Sequence, residues 1–386
     1  LNKLDHYLSP EFVREGAERV LAATSRGETN FTYHPEKFSE TCDYVLQVIK
    51  ENYPDLKIPF HSRWGHFRVG GVDRLSWLKK QHQTVDPLEF ARIQFDLVIP
   101  SVLLDAGAGA EWKYSEKETG QSFGRSEGLG VASFHLFQSG KLKSNAEGLK
   151  SFTSAVLEEG FQVSPTNPLI GVEGRTTLLN NLGRVLQNRT FFKDGRPGNL
   201  IDYLLETHGK ELRAKQVLKA VLLSLGPIWP GRVEHEGVNL GDVWNHSAFG
   251  LIGFHKLSQW MTYSLLEPLM DAGIPIHGVE ELTGLAEYRN GGLFLDSGLI
   301  AFKDPSLATT PLHPSSEVIL EWRALTVALL DRVGAEIQNR LGFTPAAFPL
   351  AKVLEGGTWW AGRKIANRNR NSTEPPIKIA SDGTVF

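Results

Sequence analysis

Between Val318 and Leu330 the chain presents apolar side chains nearly all round a helix: Val318, Ile319, Leu320, Trp322, Leu325, Val327, Leu329 and Leu330. A helix apolar on every side belongs in an interior, so other elements must wrap around it. Two charged residues interrupt it, Glu321 and Arg323. Two positions apart, they lie on roughly opposite faces and cannot pair with each other. A buried charge is costly unless it is paired or used, so each needs a partner from another segment. Glu287 and Arg289 are the obvious candidates, in the segment Ala286-Glu287-Tyr288-Arg289-Asn290-Gly291-Gly292, whose glycines allow close approach. Two readings stand side by side on the residues alone, a structural ion-pair network and an active site.

At 386 residues the chain is long enough for one large domain or several ordinary ones. A hydrophobic content of 41% and a charged content of 22% are ordinary for a globular protein. The net charge of −3 gives no general argument for nucleic acid or an anionic membrane as a partner, and a small-molecule substrate is expected from the clusters and the resemblance described below. The single cysteine, Cys42, excludes an intramolecular disulfide framework and a Cys-rich zinc site and fits a reducing compartment. No apolar run has the length of a membrane span, and the N-terminus is polar, so a cytoplasmic protein is expected. The chain starts at Leu1 without a methionine, which suggests a few further residues upstream.

Helical signals dominate. Ser9-Pro10 opens a helix over 11–25; His34-Pro35 opens another carrying Phe38, Cys42, Val45 and Ile49; Asp86-Pro87 opens a third, with a kink expected at Pro100. Ser126 is placed to cap Glu127 to Ser139. Further helices are expected near 145–159, 173–188, 198–208, 212–225, 254–271, 315–341 and 346–354. Strand signals are confined to 293–302, as a hairpin or a helix and turn, and to 377–386 around Ser381-Asp382-Gly383. The pattern predicts a mostly α fold of many helices, one large domain over 1–386. Two lobes, about 1–160 and 161–386 with the site between them, are a variant of that reading.

Three further clusters carry chemistry. Asp105-Ala106-Gly107-Ala108-Gly109-Ala110-Glu111-Trp112 closes an apolar helix with tiny residues that admit either a ligand or a neighbouring backbone, then adds Glu111 and Trp112. His61, Arg63, Trp64, His66 and Arg68 surround glycines in a loop suited to an anionic or sugar ligand, although exposed loop charge is the commoner explanation. Trp359-Trp360 with Gly362-Arg363 reads equally as a pocket wall and as a core pair. No cofactor or metal is expected: His235, His246 and His255 are scattered, and neither a HExxH nor a G-x-S-x-G motif occurs. Carboxylate chemistry with arginine and aromatic support remains.

These segments carry a resemblance. Trp64-Gly65-His66-Phe67-Arg68 before Gly70-Gly71-Val72-Asp73-Arg74, the Asp105 to Tyr114 run, Arg125-Ser126-Glu127-Gly128-Leu129, Glu287 to Gly292, Gly356-Gly357-Thr358-Trp359 and Ser381 to Phe386 resemble the uracil-catabolism family of the ribosylurea branch, long a domain of unknown function. More distantly, Ala286-Glu287-Tyr288-Arg289 and Glu321-Trp322-Arg323-Ala324 are similar to segments of the queuosine-salvage nucleosidases, which are all-α relatives of helix-hairpin-helix glycosylases. The salvage enzymes carry aspartate where this chain has Glu287, and an aromatic stretch where it has Ala106 to Glu111.

The resemblance implies an N-glycosyl hydrolase that cleaves ribosylurea, or its 5′-phosphate, to urea and ribose, without a metal. It implies Glu287 as the carboxylate near the anomeric carbon, Asp105 on the ribose hydroxyls and Glu111 as proton donor to urea. Arg289, Tyr288, Asn290, Arg323, Glu321, Trp112, Trp359, Trp64 and Arg68 would bind substrate or orient those acids. Uracil phosphoribosyl transfer is an alternative, opposed by the missing pyrophosphate motif, and a non-catalytic scaffold of the same pathway is another.

Overall fold

Ser9 accepts the Phe12 amide at 3.2 Å and Pro10 occupies the first turn, which together start the helix Pro10–Ser25. Its buried face, Phe12, Val13, Ala17, Val20 and Leu21, lies against the 25-residue helix Glu317–Leu341. Every residue from Ile319 to Leu330 is buried in that long helix, as its all-round apolar pattern requires. It stops at Gly342, whose φ of +73° is the left-handed conformation that suits glycine at a helix end.

The structure, a computed structural model, describes residues 2–229, 233–372 and 374–380. It is mostly α. Asp86 caps the helix Pro87–Leu103 through the Leu88 and Glu89 amides, both at 3.0 Å, and Pro100 lies inside it. The β content is a set of two-stranded ribbons, among them Phe31–Tyr33 antiparallel to Ile300–Phe302 and Val243–His246 antiparallel to Gly250–Gly253. Leu293 to Leu295 belong to the helix Tyr288–Asp296, so the second of the two readings of 293–302, helix and turn, is the one found. Ile379 makes a single parallel bridge to Leu312, while Ser381 to Phe386 lie outside the described residues.

Two local expectations change. The helix expected to begin after Ser126 runs from Arg125 to Gln138 with Gly124 as its cap, because the Ser126 hydroxyl donates instead to Asp105. The basic loop after Pro59 contains two short helices, Arg63–Phe67 and Arg74–Gln81, and two of its charges are not on the surface: Arg63 and Arg74 are fully buried. Arg74 holds both oxygens of the equally buried Glu116, at 2.6 and 2.5 Å, and Glu116 also accepts His135 Nε2 and the Thr119 hydroxyl at 2.7 Å each. Glu118 approaches the same imidazole at 3.8 Å, but Arg74 already occupies the Glu116 oxygens that a metal would need.

Burial works to raise the Glu116 pKa, but hydrogen bonds from Arg74, His135 and Thr119 and the Arg74 charge outweigh it and hold the carboxyl at about 2, against an ordinary 4.5. The folded state is therefore the weaker proton binder. This contribution to stability is complete above pH 4.5 and is lost as pH falls toward 2. Glu116→Gln is expected to flatten the acid limb of the denaturation midpoint plotted against pH. It should also cost about 3 kcal/mol at neutral pH, because Arg74 stays buried without its counter-charge. An acid limb as steep as the parent's would place the acid sensitivity elsewhere.

The described residues form two compact units, neither a continuous stretch of chain. The first takes those in 1–61, 231–259 and 278–382, the second those in 62–230 and 260–277.

Candidate active site

In the first unit Glu287 caps the helix Tyr288–Asp296. Its two oxygens accept the backbone N–H groups of Arg289 at 2.8 Å and Asn290 at 2.7 Å, so two donors and the positive end of the helix dipole face one carboxylate that is 9% exposed. The Arg289 guanidinium lies 4.8 Å from the Tyr288 ring centre and 5.9 Å from that of Trp359. Arg363 lies 5.7 Å from the Trp359 ring and 5.5 Å from Trp360, and the two indoles meet edge to face at 5.0 Å. Stacked cations and indoles of this kind attract each other through the ring quadrupole. Trp359 and Trp360 are half-buried, so this is a partly open wall.

Small residues make the wall possible. Gly362 lies against the Arg289 backbone so closely that any side chain there would collide with its carbonyl. On the other side of the same helix a Cβ on Gly291 would come within 2.7 Å of the Trp322 indole, whose N–H donates to the Gly291 carbonyl at 3.1 Å. Asn290 joins the two helices: it is fully buried, its amide donates to the Leu285 carbonyl at 3.2 Å, and its oxygen accepts the Thr358 hydroxyl at 2.8 Å.

Glu321 and Arg323 do have partners from other segments, but not the ones the sequence suggested. Arg323 binds Asp242 through two parallel bonds of 2.8 and 2.6 Å and stacks 4.0 Å from the Phe254 ring centre. Glu321 accepts the Asn30 backbone N–H at 2.8 Å and its side-chain amide at 3.0 Å, with His246 Nε2 3.6 Å away. Asp242 sits in a Gly-rich stretch read as a loop, with no spacing signal to connect it to a residue 81 positions on.

In the second unit Asp105 binds the fully buried Arg63 at 2.7 Å and accepts the Ser126 hydroxyl at 2.5 and 2.6 Å. Arg63 also donates to the Ser101 hydroxyl and carbonyl at 2.7 and 2.8 Å and to the Ser126 carbonyl at 3.1 Å. Just before Ser126, Arg125 adopts φ +53°, a left-handed conformation that a non-glycine residue holds only where its surroundings impose it. The small residues are wrapped around Arg175, which donates to the carbonyls of Leu104, Ala106, Gly107 and Ile170. Burial lowers the Arg175 pKa to about 10, partly offset by Asp105, which leaves it charged at neutral pH. No motif pointed to Arg175, because its acceptors are all backbone.

The remaining expected site residues are dispersed. Trp64 is fully buried and its indole N–H donates to the Ser264 carbonyl at 2.7 Å; Trp112 is 1% exposed, donates to the Phe161 carbonyl at 3.0 Å and stacks on Phe161. Both are core side chains. Arg68 pairs with Glu267, and Glu111 is exposed. A carboxyl that gives its proton to a leaving group normally sits sheltered from water, which Glu111 does not.

In the first unit a carboxylate fixed by two backbone donors precedes an arginine stacked on tryptophan, and the described residues include no helix long and apolar enough to cross a membrane. A family described as "protein of unknown function (DUF1688)" matches residues 6–386. The chain belongs to that family. It is 43% identical to "Protein urg3" of Schizosaccharomyces pombe, over 98% of each chain. It is 37% identical to "Uracil catabolism protein 4" of Lachancea kluyveri, over 100% of this chain and 99% of that one. Both matches run over nearly the whole chain.

Proposed function

We propose that the chain is an N-glycosyl hydrolase of uracil breakdown that cleaves the N-ribosyl bond of ribosylurea, or its 5′-phosphate, to urea and the free sugar. The name of the Lachancea kluyveri relative supports the pathway. The observation that carries the chemistry is Glu287: a carboxylate with both oxygens gripped by backbone donors, 9% exposed, beside the Arg289–Trp359 stack. Loss of a nitrogen leaving group from a ribosyl carbon builds positive charge on the sugar, and a fixed carboxylate stabilises that charge without having to reorganise. Each oxygen accepts one backbone N–H, and that grip suits charge stabilisation because it holds the carboxylate still. The same resemblance to the queuosine-salvage nucleosidases supports an acidic residue at this position.

The test is urea release from ribosylurea by the purified protein, set beside base release from uridine and queuosine monophosphate. Ribosylurea is expected to react at least about a hundredfold faster, the scale on which a site whose polar groups match one leaving group rejects another. Equal rates across the panel, or no urea at all, would remove this reading.

A further inference from the structure

The helix that begins at Leu350 widens into a π turn over Leu354–Thr358 before continuing as Trp359–Arg370. Such turns are rare and recur at functional sites. This one brings Glu355 and Trp359, four residues apart, to the same residue, His61: Glu355 Oε2 lies 2.7 Å from His61 Nδ1, and the Trp359 ring centre lies 6.3 Å from the imidazole. The His61 backbone N–H donates to the Ala351 carbonyl at 3.0 Å, so both the chain and the ring of His61 are fixed from one helix. Gly356 packs on Ile58, and Gly357 on Val45 and Ile49, which seats the turn.

A carboxylate can only accept, so Nδ1 carries the proton in this contact, and in the neutral ring Nε2 is then the lone-pair nitrogen. Among the described residues nothing is hydrogen-bonded to Nε2, and the side chain keeps 10% exposure. The other buried histidines differ. His255 donates from Nε2 to the Tyr7 carbonyl and is fully buried, and His246 faces Glu321; the half-buried His135 is held by Glu116 between the Tyr114 and Trp77 rings. The charged and titratable groups around His61 are Glu355, Tyr53 behind it at 3.5 Å from Glu355, and Arg289 and Arg363 across Trp359. Burial and Glu355 push the Tyr53 hydroxyl up to about 12, so it stays a donor.

Resting on the hydrolase reading above, we propose that His61 is the proton-transfer residue of that reaction and Glu355 the residue that positions it. Water forms the O–C1′ bond as the C1′–N bond breaks and its electron pair leaves on the urea nitrogen. His61 Nε2 takes the proton from the water and returns it to that nitrogen. Glu287 stabilises the positive charge that builds on the sugar as the C1′–N bond breaks. The products are urea and ribose, and both side chains end as they began.

His61→Ala should lower kcat for urea release by about 10²- to 10⁴-fold with little change in KM. Imidazole added to the buffer should restore part of the loss, which a purely structural histidine would not allow. Glu355→Gln should reduce kcat less and alter the limb of the pH–rate profile that His61 sets. Nitrogen NMR of the unliganded protein supplies a readout independent of substrate: His61 should be the Nδ1–H tautomer, and Glu355→Gln should shift it toward Nε2–H. An active wild type with an equally active His61→Ala, or a loss that imidazole does not touch, overturns the assignment. So does an Nε2–H tautomer in the wild type, whatever the substrate proves to be. A wild type that releases no urea removes the ribosylurea reading and this assignment with it, whichever tautomer is found, whereas an active wild type beside an equally active His61→Ala removes the assignment alone.

Discussion

Glu287→Gln is expected to lower urea release by at least about a hundredfold, the scale seen when one preorganised electrostatic contact is removed. The protein should still fold. The amide oxygen keeps one of the two helix-start N–H groups, while the NH₂ group meets the other as donor against donor, a cost of about 1 kcal/mol. Loss of rate with a modest fall in the urea midpoint is therefore the signature of a catalytic cap. Glu287→Asp retains the charge but withdraws it by one methylene, so it should recover part of the rate. Turnover by Glu287→Gln within a few-fold of the parent, with the midpoint lowered as stated, would make this glutamate a helix cap and nothing more.

Asp242→Ala should destabilise the protein by about 3–5 kcal/mol, because it leaves the Arg323 guanidinium, 1% exposed, facing an empty site. The existing pair also answers to pH. Burial alone would raise the Asp242 pKa, but the Arg323 charge and hydrogen bonds, with donors from Trp244 and Lys256, hold it well below the usual carboxylate range. Its stabilising effect is full above the unfolded pKa and fades only in strong acid. Replacing both partners with apolar residues, Asp242→Leu with Arg323→Met, should recover most of the loss, since no charge is then stranded. Denaturant melts of the two single variants and the double variant measure this directly. Additive losses in the double variant would mean that the two side chains do not act as a pair.

The Arg323 pair changes what a charge in the long helix means. Glu321 was expected to hold an arginine; it receives Asn30 instead, so removing it exposes two N–H donors and strands no cation. Loss of those bonds is worth about 1–3 kcal/mol, at the lower end of what breaking a buried ion pair costs. The small-residue run shows the same limit. Alanines and glycines signal close approach, and in the Asp105 unit the approaching group is the Arg175 side chain.

Periodicity and capping are local, and what depends on them was legible: the mostly α fold, the buried helix Glu317–Leu341, the start at Ser9-Pro10, the start at Asp86-Pro87 and the presence of buried charges. Each follows from side chains within a few turns of one another, where spacing alone sets which face is apolar. Which charge meets which did not follow. Arg323 reaches Asp242, Arg63 reaches Asp105, Arg74 reaches Glu116 and His61 reaches Glu355, across 81, 42, 42 and 294 positions. No periodicity spans such distances; only the packed chain brings those groups within hydrogen-bond range. Ser126 shows how directly the two levels compete, since a good helix cap by sequence serves as a donor to Asp105 once the tertiary fold offers the stronger, charged acceptor.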